Sequence, residues 1–403
     1  MRRLASSPTV MNCKQGGEGI VTVKRRTQGR GMAPNNTSRA THTVGHRSAA
    51  LGAAVVATIA LATTVNAAGA QAHQASGKSS TGQASYRHGL VPMLARQGSA
   101  TTIPAVSSKD LHFRGGISTV GVTIGAPKVF LVFWGSQWGT QGTNSAGNAT
   151  FTGDPQGVAP DLQAFFKGLG TGSELWSGVM TQYCQGVATG TTLCGTAGQH
   201  IGYPTGGALA GIWEDKSAAA PSNSTGHQLA LEAVKASGHF GNLTSASNRS
   251  NQYFIVSPTG TDPDNYMQNG FCAWHDYTGD STLDGGGGAT GSGTPLAFAN
   301  MPYVTDVGRS CGASFVNAGN LLDGVTIVGG HEYAETITDQ FPAGGWTANN
   351  GEENGDLCAW LSSGAGKVQN ITLTTGKFAV QGTWSNLANK SKGGCAIKNA
   401  IVT

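Results

Sequence analysis

"LLDGVTIVGGHEYAETITDQF", residues 321–341, places Leu321, Val325, Val328, Tyr333 and Ile337 at the spacing of a helix rather than at the alternation of a strand. One helical turn separates His331 from Glu335, so both side chains lie over the same patch, and Asp339 follows on roughly that stripe. An imidazole and a carboxylate so placed can chelate one divalent ion. The run matches the HExxH zinc-protease pattern through His331 and Glu332, then departs from it where Glu335 stands in place of the second histidine. Zinc accepts carboxylate oxygen at about 2.0–2.2 Å, so Glu335 is a feasible ligand, although a harder donor set also admits calcium. Glu332 then occupies the general-base position. Gly329 and Gly330 cost about 1 kcal/mol each in a helix interior, which predicts close approach of another backbone or of a bound group.

Further ligands must come from outside the helix. Downstream, "GWTANNGEENGDLCAW" (345–360) carries Glu352, Glu353 and Asp356 in a Gly- and Asn-rich loop next to Cys358. Upstream, "NGFCAWHDYTGD" (269–280) brings His275 and Asp276 just after Cys272. An HExxE alone arises often by chance, with its glutamate an ordinary exposed helix residue, and His275 reads first as a satisfied loop histidine. Six carboxylates nevertheless fall between 332 and 356 in a chain with only 21 in all, a concentration that solubility does not require. The expected site therefore has His331, Glu335, Glu353, Asp356 and His275 as ligands of a divalent metal, zinc ahead of calcium, with Glu332 as the catalytic base.

The N-terminal part reads as a leader. Residues 49–65, "AALGAAVVATIALATTV", follow Arg39, His46 and Arg47 and precede small residues ending "AGAQAHQ", the order of a secretory signal with cleavage after Ala72. The run is short for a bilayer core, so a permanent membrane anchor is the weaker reading. Met32 lies at a suitable distance to be the true start, leaving 1–31 untranslated. Residues 1–72 hold nine of the 25 Lys and Arg but one of the 21 Asp and Glu, so residues 73–403 carry 16 against 20, a net charge of −4. That balance offers no basic patch for nucleic acid. Outside the leader there are six cysteines, Cys184, Cys194, Cys272, Cys311, Cys358 and Cys395, an even count that in an exported chain predicts three disulfides. Fifteen pairings are possible; Cys184 with Cys194, around a short polar loop, is the expected local one. No CxxC spacing supports a thiolate zinc cluster.

Residues 73–104 are polar and aperiodic and read as a disordered tail or propeptide. Beyond them, "KVFLVFWG" (128–135) and "QYFIVSP" (252–258) predict buried strands, and "FANMPYVTD" (298–306) a third, placed by Pro302 at an edge or a strand start. Helices are predicted at 159–170, where Pro160 and Asp161 open the element, and from His227. "VQNITLTTGKFAVQGTWSN" (368–386) reads as a hairpin about "TTGK". The expected fold class is α+β: a single disulfide-stabilised, loop-rich domain over roughly 105–403, with a central sheet and a zincin-like helix. A nucleophilic Ser310 or Ser314 lacks a GxSxG elbow. Phe378, Trp384, Trp346 and Trp360 fit core anchors better than a sugar-stacking platform.

Taken together, "KVFLVFWGSQW", "NGFCAWHD", "MPYVTDVGRSCGASFVN", "DGVTIVGGHEYAETITDQ", "GEENGDLCAW" and "FAVQGTWSN" resemble a family of secreted bacterial and fungal proteins. More distantly the set is similar to the plant EXORDIUM or phosphate-induced family of apoplastic proteins, over about residues 120–397. The resemblance implies export and a cell-surface or wall-associated role, and supplies no reaction. A narrower resemblance to zincins rests on His331 and Glu332. The expected function is that of a secreted metalloprotein, a zinc-dependent peptidase-like hydrolase built on HExxE. The alternative is a non-catalytic extracellular or cell-wall-associated binding protein, with a structural metal site or none. A monomer acting on a peptide or a cell-wall component is expected.

Overall fold

A computed structural model describes residues 86–94 and 110–403, all within the unit Gln71–Thr403. The expected leader and signal segment, residues 1–72, lies outside the described residues. Six strands make the central sheet: β1 (His88–Pro92), β2 (Lys128–Trp134), β3 (Leu209–Asp215), β4 (Asn251–Val256), β5 (Phe271–Tyr277) and β6 (Ala297–Met301). Their order across the sheet is β1, β5, β6, β4, β2, β3. Pairings from β6 through β3 are parallel, whereas β5 runs antiparallel to both β1 and β6. The inner strands β2 and β4 read as continuous apolar or buried runs because helices cover both faces of the sheet.

Three long helices supply those layers: α1 (Val158–Gly168), α2 (Gly226–His239) and α3 (Asp323–Thr338). The Asp154 carboxylate accepts the free N–H groups of Val158 and Ala159 and so starts α1. Thr225 and Gln228 form a reciprocal capping box that starts α2. Alternation along β4 sorts the layers. Tyr253 stacks on Phe130, which meets Phe240 at the end of α2, while Phe254 turns to the other face against Phe166 of α1. Phe166 also touches Tyr333, so α3 shares the face of α1. All of α3 is buried, so it has no solvent-facing stripe, and its histidine and glutamates are interior polar groups that need partners or a ligand.

The fold is thus mixed α+β about a central mixed sheet, with three disulfides among the described residues, Cys184–Cys194, Cys272–Cys311 and Cys358–Cys395. The first is the expected local bridge, and the third anchors the acidic loop before it. The strand at 298–306 is shorter than its sequence suggests and lies between β5 and β4, not at an edge. Pro302 falls just past Met301, outside the ladder, where its missing N–H costs nothing. The hairpin at 368–386 is present as Gln369–Leu373 paired antiparallel with Gly376–Val380. Added Cβ atoms at Gly329 and Gly330 would meet Leu162, Phe165 and Trp176, so these glycines let α3 pack closely on neighbouring side chains, not on a backbone or ligand. Phe378, Trp384, Trp346 and Trp360 are interior, which removes them as a sugar platform. Among the described residues no helix is long and apolar enough to cross a membrane.

One segment departs from its reading in a way that matters for the site. Residues 86–94, expected to belong to an aperiodic tail, supply the edge strand β1. Five residues with an irregular register give too little alternation for a sequence test, yet Tyr86 and Val91 are fully buried. Asp264 anchors this strand: its carboxylate accepts from the Arg87 guanidinium, from the Tyr86 hydroxyl and from Trp274 Nε1. Arg87→Ala would leave that buried carboxylate without its cation. A loss of about 3–5 kcal/mol in unfolding free energy, measured by urea denaturation, is the expected outcome; a change below about 1 kcal/mol would show that β1 is not held by this pair.

Candidate metal centre

Side chains from four places converge where α3, β1, β5 and the acidic loop meet. His331 and Glu335 come from α3, His275 from β5, and Glu353 and Asp356 from the loop held by Cys358–Cys395. His275, read first as a loop residue, is therefore a strand residue, and its ring is completely buried. His331, Glu332 and Glu335 are likewise inaccessible, Glu353 nearly so, and Asp356 partly exposed. The donors fall into two triads sharing Glu335: His275, Glu335 and Glu353, and His331, Glu335 and Asp356, each with its ligand atoms within 4.8 Å of one another.

Part of the cluster is hydrogen-bonded and part is not. His331 Nε2 lies 2.9 Å from Glu335 Oε2 as an ion pair, yet neither atom meets hydrogen-bond geometry. His275 Nε2 is hydrogen-bonded to Glu353 Oε2 at 3.2 Å and stands 3.8 Å from the same Glu335 Oε2. His331 Nε2 stands 3.8 Å from Asp356 Oδ1. Two donors each about 2.1 Å from a common ion lie roughly 3–4 Å apart, which is this range. The remaining atoms are held in place: His331 Nδ1 lies 3.2 Å from Gln381 Oε1, Gln381 donates to Gly355 O, and Glu335 Oε1 accepts the Asp356 N–H. Gln381 is an orienting residue that no local sequence signal marks.

Two glycines line the space. Gly89 of β1 has φ +53°, and a Cβ there would fall 1.9 Å from Glu335 Oε2, 2.6 Å from His275 Cδ2 and 2.7 Å from His275 Nε2, so only glycine lets β1 pass this close to the donors. At Gly355 a Cβ would lie 2.7 Å from Glu335 Oε1 and 2.9 Å from His331 Nδ1. Gly89→Ala should therefore push Glu335 and His275 out of position. The expected result is loss of high-affinity zinc binding by calorimetric titration, with about 1–2 kcal/mol of left-handed strain and about 1–3 kcal/mol of overpacking lost from stability. Unchanged zinc affinity would place the ion elsewhere.

Burial and mutual repulsion govern the charges. Burial, then the neighbouring carboxylates Glu335 and Asp356, push Glu332 well above the ordinary carboxyl range. Glu353 is raised by burial and then by Asp339, Glu335, Asp356 and Glu332. Asp356 is pushed up to about 8 by burial and Glu335, against the pull of His331. His275 is held neutral by burial and by His88 and His331, the form in which imidazole binds metal. For His331, burial favours the neutral ring, but the Glu335 carboxylate prevails and raises it to about 9. Protons thus occupy sites that a cation would take, as expected for ligands that must deprotonate on binding.

Glu332 belongs to neither triad. Both its carboxylate oxygens are buried without a hydrogen-bond partner. Asp339, read on the same stripe, instead accepts the backbone N–H groups of Ala343, Gly344 and Gly345 and closes the turn after α3. Neither of two surface pockets, one beside Tyr183 and Cys194 and one beside Glu174 and Gln369, is lined by a residue of the centre. Comparison with protein families, curated proteins and solved structures finds no match. Fold and site together define a mixed α+β protein with an interior histidine–carboxylate cluster.

Proposed function

We propose that the chain is a secreted metalloprotein whose buried centre holds divalent metal, zinc ahead of calcium, through His275, His331, Glu335, Glu353 and Asp356. The observation that carries this is the buried pair His331 Nε2 and Glu335 Oε2, 2.9 Å apart as an ion pair that does not meet hydrogen-bond geometry, with further donors from His275, Glu353 and Asp356 around it. Two imidazoles with three carboxylates suit zinc better than an all-oxygen calcium shell. Three disulfides accord with the exported setting that the leader implies.

In the hydrolase reading the helix acts as in zincins. Glu332, one position after His331, holds or moves the proton of an attacking water, and a divalent ion would supply the Lewis acidity that polarises a peptide carbonyl. The side chains do the positioning: Gln381 orients His331, and burial excludes bulk water. A second reading is favoured by a specific observation, the full burial of His275, His331 and Glu335 beneath β1. Catalytic zinc sites keep an open position, whereas structural ones are closed. That reading gives a non-catalytic extracellular or wall-associated protein stabilised by its metal.

Metal content of the purified protein by mass spectrometry tests the shared premise, and no stoichiometric metal would remove both readings. A broad peptide library separates them. Cleavage by the wild type that falls about 100-fold or more in Glu332→Gln, with metal retained, supports the hydrolase. Metal-dependent stability with no cleavage supports the closed centre.

A further inference from the structure

A second group of donors lies outside the centre and shares no residue with it: His88 at the start of β1, Asp276 at the end of β5 and Asp280 in the loop that follows. Their ligand atoms are within 4.8 Å of one another. Asp276 is fully buried and its Oδ2 has no hydrogen-bond partner, while Oδ1 is engaged by the N–H of Tyr277. Asp280 repeats that division of labour: Oδ1 accepts from the N–H and the hydroxyl of Thr282, and Oδ2 turns toward His88 Nε2 at 3.8 Å. That separation is too long for a hydrogen bond and matches two donors to one ion. Each carboxylate is thus fixed through one oxygen and presents the other.

His88 pairs with His275 across the β1–β5 ladder, so this group adjoins the first centre while sharing none of its donors. The group also spans two elements that nothing covalent joins locally, the edge strand β1 and the end of β5. We propose that His88, Asp276 and Asp280 form a second divalent-cation site, taking an ion of the zinc and manganese class, which accepts one imidazole and two carboxylates. An ion there would clamp β1 to the sheet one residue before Gly89, the residue that closes the first centre. The site stands on its own donors and does not depend on metal at His331.

Zinc counting by equilibrium dialysis on the full chain tests it, with His331→Ala as the variant that reports on the first centre. Asp280→Asn is expected to bind one zinc fewer per chain than the wild type while keeping the metal that His331→Ala loses. The double variant should lose both classes. Should Asp280→Asn fail to fold by circular dichroism, His88→Gln, on a partly exposed edge position, should show the same single loss. Wild-type zinc stoichiometry and affinity in the folded Asp280→Asn or His88→Gln protein would overturn the proposal, and would leave the first centre untouched.

Discussion

Glu335→Gln is expected to abolish metal binding at the centre and to destabilise the protein far more with metal present than without it. Glu335 is the carboxylate common to both triads, so its loss weakens each, whereas Glu353→Gln or Asp356→Asn should weaken one. Zinc affinity should fall by more than about 100-fold, since even groups that only support metal ligands cost 10–100-fold when removed. With metal at about 100 times the wild-type Kd, the wild type gains about 2.7 kcal/mol that the variant does not. Without metal two effects oppose and the difference shrinks. Burial first, and then neighbouring carboxylates including Glu335, raise Glu332, Glu353 and Asp356; a neutral amide removes the Glu335 repulsion but also removes the counter-charge that raises His331 to about 9. Thermal unfolding of both proteins with zinc and with chelator measures the difference. Equal destabilisation under both conditions would mean that the cluster is a structural hydrogen-bond network and holds no ion.

The second large effect is on pH. An acid raised on folding binds more protons in the native than in the unfolded state, so its contribution falls as pH rises between the two values. Asp356, raised to about 8, therefore loses stability from its unfolded value near 4 up to about 8. His331, raised to about 9, contributes stability that is complete below about 6.5 and lost as pH passes 9. Asp339, raised to about 7, and the remote Asp161 and Glu232, raised to about 7 and about 8, act in the same direction. Opposing shifts, His275 lowered and Asp280 at about 2, operate below the neutral range. Each raised group costs about 1.4 kcal/mol per pH unit within its window. Summed over these five groups that is on the order of 10 kcal/mol between pH 6 and 8, so the metal-free protein should lose more than about 20 °C in Tm. Bound metal displaces the protons of the centre, so saturating zinc should flatten the profile to the slope left by Asp161, Asp339 and Glu232, and zinc uptake should release protons. A metal-free profile flat from pH 6 to 8 would contradict the buried-charge account.

Much of the fold is legible in the chain because its signals are local. Continuous apolar runs mark β2 and β4, Pro160 and Asp161 mark the start of α1, helical spacing marks α3, and the turn at 374–377 marks the hairpin. The concentration of carboxylates from 332 to 356 pointed to the loop that the tertiary structure folds against α3. Other elements carry no such signal. β1 owes its place to Asp264, more than 170 residues away, through Arg87 and Tyr86. β5 is buried in every residue but one, so its polar His275 and Asp276 disguise a strand as a loop.

By itself, then, the sequence determined which residues were chemically able to hold an ion: one histidine and one carboxylate a helical turn apart, an acidic loop, and a second histidine beside a cysteine. Only the tertiary structure decided their grouping, with Glu335 shared between two triads, Asp339 diverted to cap a turn, and Gly89 leaving room beside Glu335 Oε2 and His275 Nε2. The physical reason is that ligand type and helical spacing are properties of short segments. Convergence depends on a sheet that brings β1 beside β5, and a disulfide that fixes the acidic loop, across distances in the chain that no local pattern encodes.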